Sequence, residues 1–270
     1  MAWWHSQTRL IFPGAATQGK PEAALPPDGD SEVVRMTARD GTGIVGRFGG
    51  ARDARGGGAA ASGEALTIVF FCGNGSCMAQ NDDEFTRFRF LGCNAMVADY
   101  QGFGLSGGGA SEAGCYATAD AVYEHLTGRR GISPDRIVLA GRSLGAAVAI
   151  DLASRRPVAG LIAISPFTSM RDMARRAHPW RPTRIFLRHH FDNLAKIPSV
   201  ACPILLIHGT EDDFVSPGMA DALAASATSR VGRLAIPNGN HRNVMQADEE
   251  RLWGGIAAYL GSLRQGEMSR

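Results

Sequence analysis

The stretch Ile137-Val-Leu-Ala-Gly141-Arg-Ser143-Leu-Gly145-Ala-Ala-Val-Ala-Ile150 decides how this chain is read. Residues 137–140 form a continuous apolar run, the pattern of a strand buried on both faces. Residues 144–154 carry helical spacing rich in alanine. Between them lies Gly141-Arg142-Ser143-Leu144-Gly145, a Gly-x-Ser-x-Gly pentapeptide in strand–turn–helix context. Such a turn holds its serine in a strained conformation that lifts the hydroxyl above the sheet, and the flanking glycines let strand and helix approach closely. The serine also sits at a helix N-terminus, where the dipole and free N–H groups favour negative charge. Ser143 is the candidate nucleophile. The bland alternative is a glycine-rich helix start with no chemistry.

Working outward, short runs rich in Ile, Val and Leu recur at 66–72, 95–98, 161–164, 204–207 and 234–236. Helical spacing occupies 113–126, 219–227 and 249–263. Strands alternating with helices predict an α/β fold, a mostly parallel central sheet with helices on both faces. Ligands of such sheets bind beyond the carboxyl ends of the strands. Asp40-Gly41 between the runs 33–37 and 43–48 predicts an early β-hairpin. Residues 1–30, punctuated by Pro13-Gly14, Pro21 and Pro26-Pro27, read as an extended lead-in, and 49–65 as a floppy surface loop. The main domain is expected over 31–264, with 265–270 a tail. Residues 165–203 are too long for a simple crossover and predict a small helical insertion, a lid above the strand ends, before the strand that carries the acid.

The composition is that of an ordinary globular chain: 270 residues, 44% hydrophobic and 20% charged. It excludes disorder, collagen and coiled coil as the main architecture. A net charge of +2, without a basic stripe, argues against nucleic acid as a partner. No apolar run reaches the roughly 18 residues of a membrane span, and the N-terminus lacks a signal-peptide core. The five cysteines (72, 77, 93, 115 and 202) are odd in number, spread out, and without zinc spacing. They read as reduced, buried thiols in a cytoplasmic protein.

A serine hydroxyl needs a base, itself oriented by a carboxylate. His241 follows the run 234–236 through Asn238-Gly-Asn240 and is the candidate base. His208 lies at its own strand end and is expected to pack or hydrogen-bond the loop. Glu211, Asp212 and Asp213 follow the run 204–207, and only one of them can face the imidazole. Asp212 is the first choice and Asp213 the alternative, with unused acids solvated or bonded to nearby amides. Cys72-Gly73-Asn74-Gly75 follows the strand 66–71, so the backbone N–H groups of Asn74 and Leu144 are the candidate oxyanion hole. Gly102-Phe-Gly104-Leu-Ser-Gly107 fits a dinucleotide fingerprint, but two more glycines follow where a helix should start. Arg171, Arg175, Arg176, Arg181, Arg184 and Arg188 read first as a solvated helix face. The other reading is a cationic surface for acidic acyl substrates or an anionic membrane.

These blocks together resemble the α/β-hydrolase superfamily, and within it small serine hydrolases of the ABHD17-like and BEM46-like kind. The resemblance covers roughly residues 30–262 and is carried by Phe71-Cys-Gly-Asn-Gly75, Asp99-Tyr-Gln-Gly-Phe-Gly-Leu-Ser106, Gly141-Arg-Ser-Leu-Gly145, Ser165-Pro-Phe-Thr-Ser-Met170, His208-Gly-Thr-Glu-Asp212 and Gly239-Asn-His241. It implies Ser143 as nucleophile, Asp212 as acid and His241 as base, and it makes the Gly102 loop structural. Two positions depart: Cys72-Gly73 stands where the family usually has His-Gly, and Gln101 where it usually has Arg. The expected activity is hydrolysis of an ester or thioester of a small-molecule or acylated substrate through an acyl-enzyme, a chemistry that requires no cofactor or metal. A serine aminopeptidase-like amide hydrolase is the alternative, and a non-catalytic binding protein on the same fold a more distant one.

Overall fold

Strand β5 (Ile137–Arg142) occupies the middle of one sheet, with every residue from Ile137 to Gly141 buried. In this computed structural model, residues 2–25, 30–52, 65–177 and 187–267 are described. Eight strands are found among them: β1 (Ser31–Thr37), β2 (Gly43–Gly49), β3 (Thr67–Phe71), β4 (Asn94–Ala98), β5, β6 (Gly160–Ile164), β7 (Ile204–Gly209) and β8 (Val231–Ile236). They form a single sheet in the order β1-β2-β4-β3-β5-β6-β7-β8. Strand β2 runs antiparallel to both β1 and β4, and every pairing from β4 to β8 is parallel. The helices are α1 (Ala2–Ile11), α2 (Asp82–Phe90), α3 (Glu112–Glu124), α4 (Leu144–Arg155), α5 (Met170–Ala177), α6 (Asn193–Lys196), α7 (Pro217–Ser226) and α8 (Glu249–Glu267).

The continuous apolar runs are the doubly covered strands. Strands β3, β4 and β6 are buried throughout, whereas β8, at the sheet edge, is exposed or half-buried at every position but Ile236. The core runs from Phe70 and Phe71 through Leu139 to Ile162 and Ile207, each at most 2% exposed. Burying one such side chain contributes about 1.5–3 kcal/mol. Among the described residues no helix is long and apolar enough to cross a membrane. All five cysteines are free and buried.

Two parts of the chain depart from the sequence reading. The lead-in is not extended: residues 2–11 form helix α1, and 3-10 turns follow at Pro13–Thr17 and Pro21–Ala23. The reason is local, since the proline and glycine punctuation begins only at Pro13 and leaves 2–11 free to coil. Phe12 then anchors the segment; it is buried, and its ring meets those of Phe103, His189 and Phe191 edge-on or tilted. Helix α2, where the sequence reading assigned no element, buries one narrow apolar face at Phe85 and Phe88 among charged residues. The insertion carries the expected helices, α5 and α6, held by Met170 N–H donating to the His190 carbonyl (2.8 Å) and Asn193 Nδ2 to that of Phe167 (2.8 Å). Most of the expected floppy loop, 53–64, lies outside the described residues, as do His178, Arg181 and Arg184 of the insertion.

Candidate active site

Ser143 sits at φ +54°, ψ −112°, between β5 and α4. A non-glycine residue there is strained, and strain of this kind persists only where the surroundings enforce it. They do so here through glycine. A Cβ on Gly145 would collide with the Phe71 carbonyl, and one on Gly141 with the Gly145 carbonyl, so α4 rests directly on the ends of β3 and β5. The Ser143 N–H donates to Ile164 O on β6 (2.9 Å), fixing the turn from the other side.

His241 is delivered by the loop after β8. Asn240 Oδ1 accepts from the N–H groups of Arg242 (2.9 Å) and Asn243 (3.1 Å), a local turn that presents the ring. Asp212 comes from the loop after β7. The two loops are joined backbone to backbone, with Thr210 N–H donating to Ile236 O (3.0 Å) and Glu211 N–H to Gly239 O (2.8 Å). The result brings three distant residues together. His241 Nε2 is 3.0 Å from Ser143 Oγ, and His241 Nδ1 is 2.8 Å from Asp212 Oδ2.

The choice between the adjacent acids is made by burial. Asp212 is 3% exposed, whereas Glu211 and Asp213 face solvent. Its other oxygen, Oδ1, accepts from Val215 N–H (2.8 Å) and Phe214 N–H (3.1 Å). Burial pushes the Asp212 carboxyl upward, but hydrogen bonds from His208, His241 and the Val215 amide outweigh it and hold the group well below the usual carboxylate range. Phe214, 59% exposed, lays its ring against His241 with centroids 5.0 Å apart. His208 Nε2 is 2.9 Å from Val215 O, so this ring braces the acid loop, as its place at the strand end implied.

Asn74 lies in the loop after β3, and Leu144 opens α4 after β5. Among the described residues, the N–H groups of Asn74 and Leu144 have no hydrogen-bond partner. The side chain of Asn74 donates to Ile11 O (3.0 Å) and its carbonyl accepts from Gly14 N–H (2.8 Å). The N-terminal segment thus holds this loop, a role that composition alone did not signal. Where the resemblance leads one to expect His, Cys72 is buried and its carbonyl accepts from Tyr100 Oη (2.9 Å); burial pushes its thiol well above the ordinary range. The Gly102 loop is structural. Gly102 and Gly104 have positive φ, Leu105 N–H donates to Asp99 Oδ2 (2.8 Å), and the next helix begins only at Glu112. A cavity of about 830 Å³ lies elsewhere, near Cys202, Leu205 and Tyr259 at the opposite ends of the strands.

Comparison with known proteins agrees with this architecture. An uncharacterized Mycobacterium tuberculosis protein, Rv2307c, is 33% identical over 95% of this chain and 88% of its own length. The profile of the family described as "Serine aminopeptidase, S33" matches residues 64–197. An esterase of Pyrococcus furiosus superposes with a TM-score of 0.72 at 18% identity, over 87% of this chain and 91% of its own. The chain belongs to the α/β-hydrolase superfamily. Human alpha/beta hydrolase domain-containing protein 17C is 36% identical over 57% of this chain, a match spanning 46% of that protein. An α/β-hydrolase of Vibrio vulnificus shares the fold across 96% of this chain and 92% of its own, with a TM-score of 0.70 at 20% identity.

Proposed function

We propose that this α/β-hydrolase cleaves a carboxylic ester or thioester through an acyl-enzyme formed on Ser143. The observation that carries this reading is the 3.0 Å approach of Ser143 Oγ to His241 Nε2, with Asp212 at 2.8 Å from the other ring nitrogen. His241 takes the proton of Ser143 as the oxygen attacks the carbonyl carbon. The amides of Asn74 and Leu144 receive the developing oxyanion; one such donor is typically worth about 3–4 kcal/mol of transition-state stabilisation. His241 then protonates the leaving alcohol or thiol and later activates the water that releases the acid. Asp212 fixes the ring tautomer and stabilises the imidazolium. The five free thiols support a reducing, cytoplasmic setting for the reaction.

A second reading, amide hydrolysis, is favoured by the family description of serine aminopeptidase. A chain-length series of p-nitrophenyl esters beside amino-acid anilides separates the two. A fluorophosphonate probe is expected to add to wild type and not to Ser143→Ala. Intact mass unchanged in wild type would overturn the proposed reaction.

A further inference from the structure

Two buried polar atoms on neighbouring strands lack partners among the described residues: Ser165 Oγ and His208 Nδ1. Ser165 follows the last residue of β6, and His208 lies on β7. Ile164 pairs with Ile207 in the ladder, and Ser165 N–H donates to Ile207 O (2.8 Å), so Ser165 and His208 are the next neighbours in register. Ser165 is fully buried, and His208 is 7% exposed. Ser165 also adopts φ +46° directly before Pro166, a conformation disfavoured twice over, by its positive φ and by the following proline.

The tautomer of the His208 ring follows from its partners. Its Nε2 lies 2.9 Å from Val215 O and 3.4 Å from Asp212 Oδ2. A carbonyl and a carboxylate only accept, so Nε2 carries a hydrogen, and in the neutral ring Nδ1 is the acceptor. The Ser165 hydroxyl is a donor without an acceptor. Buried donors and acceptors are nearly always satisfied.

Building on the proposed role of Asp212, we infer that Ser165 and His208 form a second hydrogen-bonded chain that ends on the same carboxylate as His241. The two atoms are not bonded to each other directly, so Ser165 Oγ–H reaches His208 Nδ1 through one internal water. His208 Nε2–H donates to Val215 O and, more weakly, to Asp212 Oδ2. His208 is a positioning residue: its ring spans the base of the 209–215 loop and keeps Oδ2 aimed at His241. As an extra donor to that oxygen it also lowers the basicity His241 acquires from the carboxylate. Among the described residues, the other charged groups at this loop are the exposed Glu211 and Asp213 on the loop itself and Arg176 from α5, whose guanidinium donates to Asp213 O (3.2 Å). None of them bonds Oδ2.

The test uses the full chain with His208→Gln, His208→Leu and Ser165→Ala. Gln keeps an N–H donor near the position of Nε2, whereas Leu removes it. In His208→Leu, fluorophosphonate labelling is expected to slow roughly ten- to hundredfold. The acid limb of its pH profile should move upward by about half a unit or more. His208→Gln should retain most of the rate and the wild-type limb. Ser165→Ala should lower the melting temperature and move the His208 Nδ1 resonance in ¹H–¹⁵N spectra of the imidazole rings. A purely structural His208 would change stability without moving the limb, and Gln would not rescue it. Ser165→Ala melting at or above wild type, with the Nδ1 resonance in place, would overturn the inference, since removing a truly orphaned hydroxyl costs nothing. The melting and resonance readouts need no turnover. A wild type that fails to label would sink the proposed reaction and leave these two to decide the chain.

Discussion

Gly209 lies against the carbonyl of Gly239 with no space between them for a methyl group. This contact lets the acid loop and the base loop lie backbone to backbone, and it sets the 2.8 Å separation of Asp212 and His241. Gly209→Ala is expected to destabilise the fold by about 1–3 kcal/mol, the usual range for overpacking, and to suppress probe labelling more than that loss explains. Thermal melts beside labelling rates check this; an unaltered labelling rate would refute the coupling of the two loops.

Ser143→Ala and His241→Ala are each expected to lower kcat by on the order of a millionfold, and the double variant to be no worse than either, because the pair acts as one unit. Single-turnover kinetics on an activated ester measure it. Additive losses would show that the two side chains act separately.

Asp212→Asn is expected to lower kcat by about 10⁴-fold through the wrong imidazole tautomer. Asp213→Asn should stay within roughly twofold, as exposed substitutions usually do. Equal losses in the two variants would contradict the assignment made by burial.

Two carboxyls near the site give opposite pH signatures. The Asp212 carboxyl is held below its ordinary range, so its contribution to stability is present above the unfolded value of about 3.9 and is lost as pH falls through the folded value. Asp212→Asn should therefore lose less stability than wild type on acidification. Burial raises the Glu84 carboxyl, with Arg142 opposing only in part. Its folded form binds a proton more readily, so stability declines as pH rises above about 4.3. Glu84→Gln is expected to melt higher than wild type at pH 7 and to converge with it below pH ~4. A lower melting temperature at pH 7 would show that the buried charge is stabilising.

Phe12→Ala is expected to cost about 3–5 kcal/mol, the range for truncating a buried aromatic. It should also slow labelling, because the same segment holds Asn74 through the Ile11 carbonyl. Denaturant melts and labelling rates read the two effects separately.

Much of the scaffold was legible because its signals are local. A strand buried on both faces must be apolar at every position, and 66–72, 137–140 and 204–207 contain β3 and the cores of β5 and β7. The hairpin was legible from Asp40-Gly41, with Gly41 at φ +84°. Helix α1 was not, because its evidence is only the lack of punctuation across 2–11, and prolines further on coloured the whole segment. Helix α2 was hidden by charges at Asp82, Asp83, Glu84, Arg87 and Arg89 around a narrow apolar face.

The candidate site divides in the same way. Gly141-Arg-Ser143-Leu-Gly145 by itself determined that a serine would stand on a strained turn, because only glycine at 141 and 145 leaves space for α4 against β3 and β5. Chain order placed a histidine and a set of acids after later strands. Which acid faces the imidazole, that an N-terminal helix braces the Asn74 loop, and that Ser165 comes next to His208 in strand register were decided only by the tertiary structure. Burial, loop-to-loop packing and strand register are properties of residues up to about a hundred positions apart, and no local pattern encodes them.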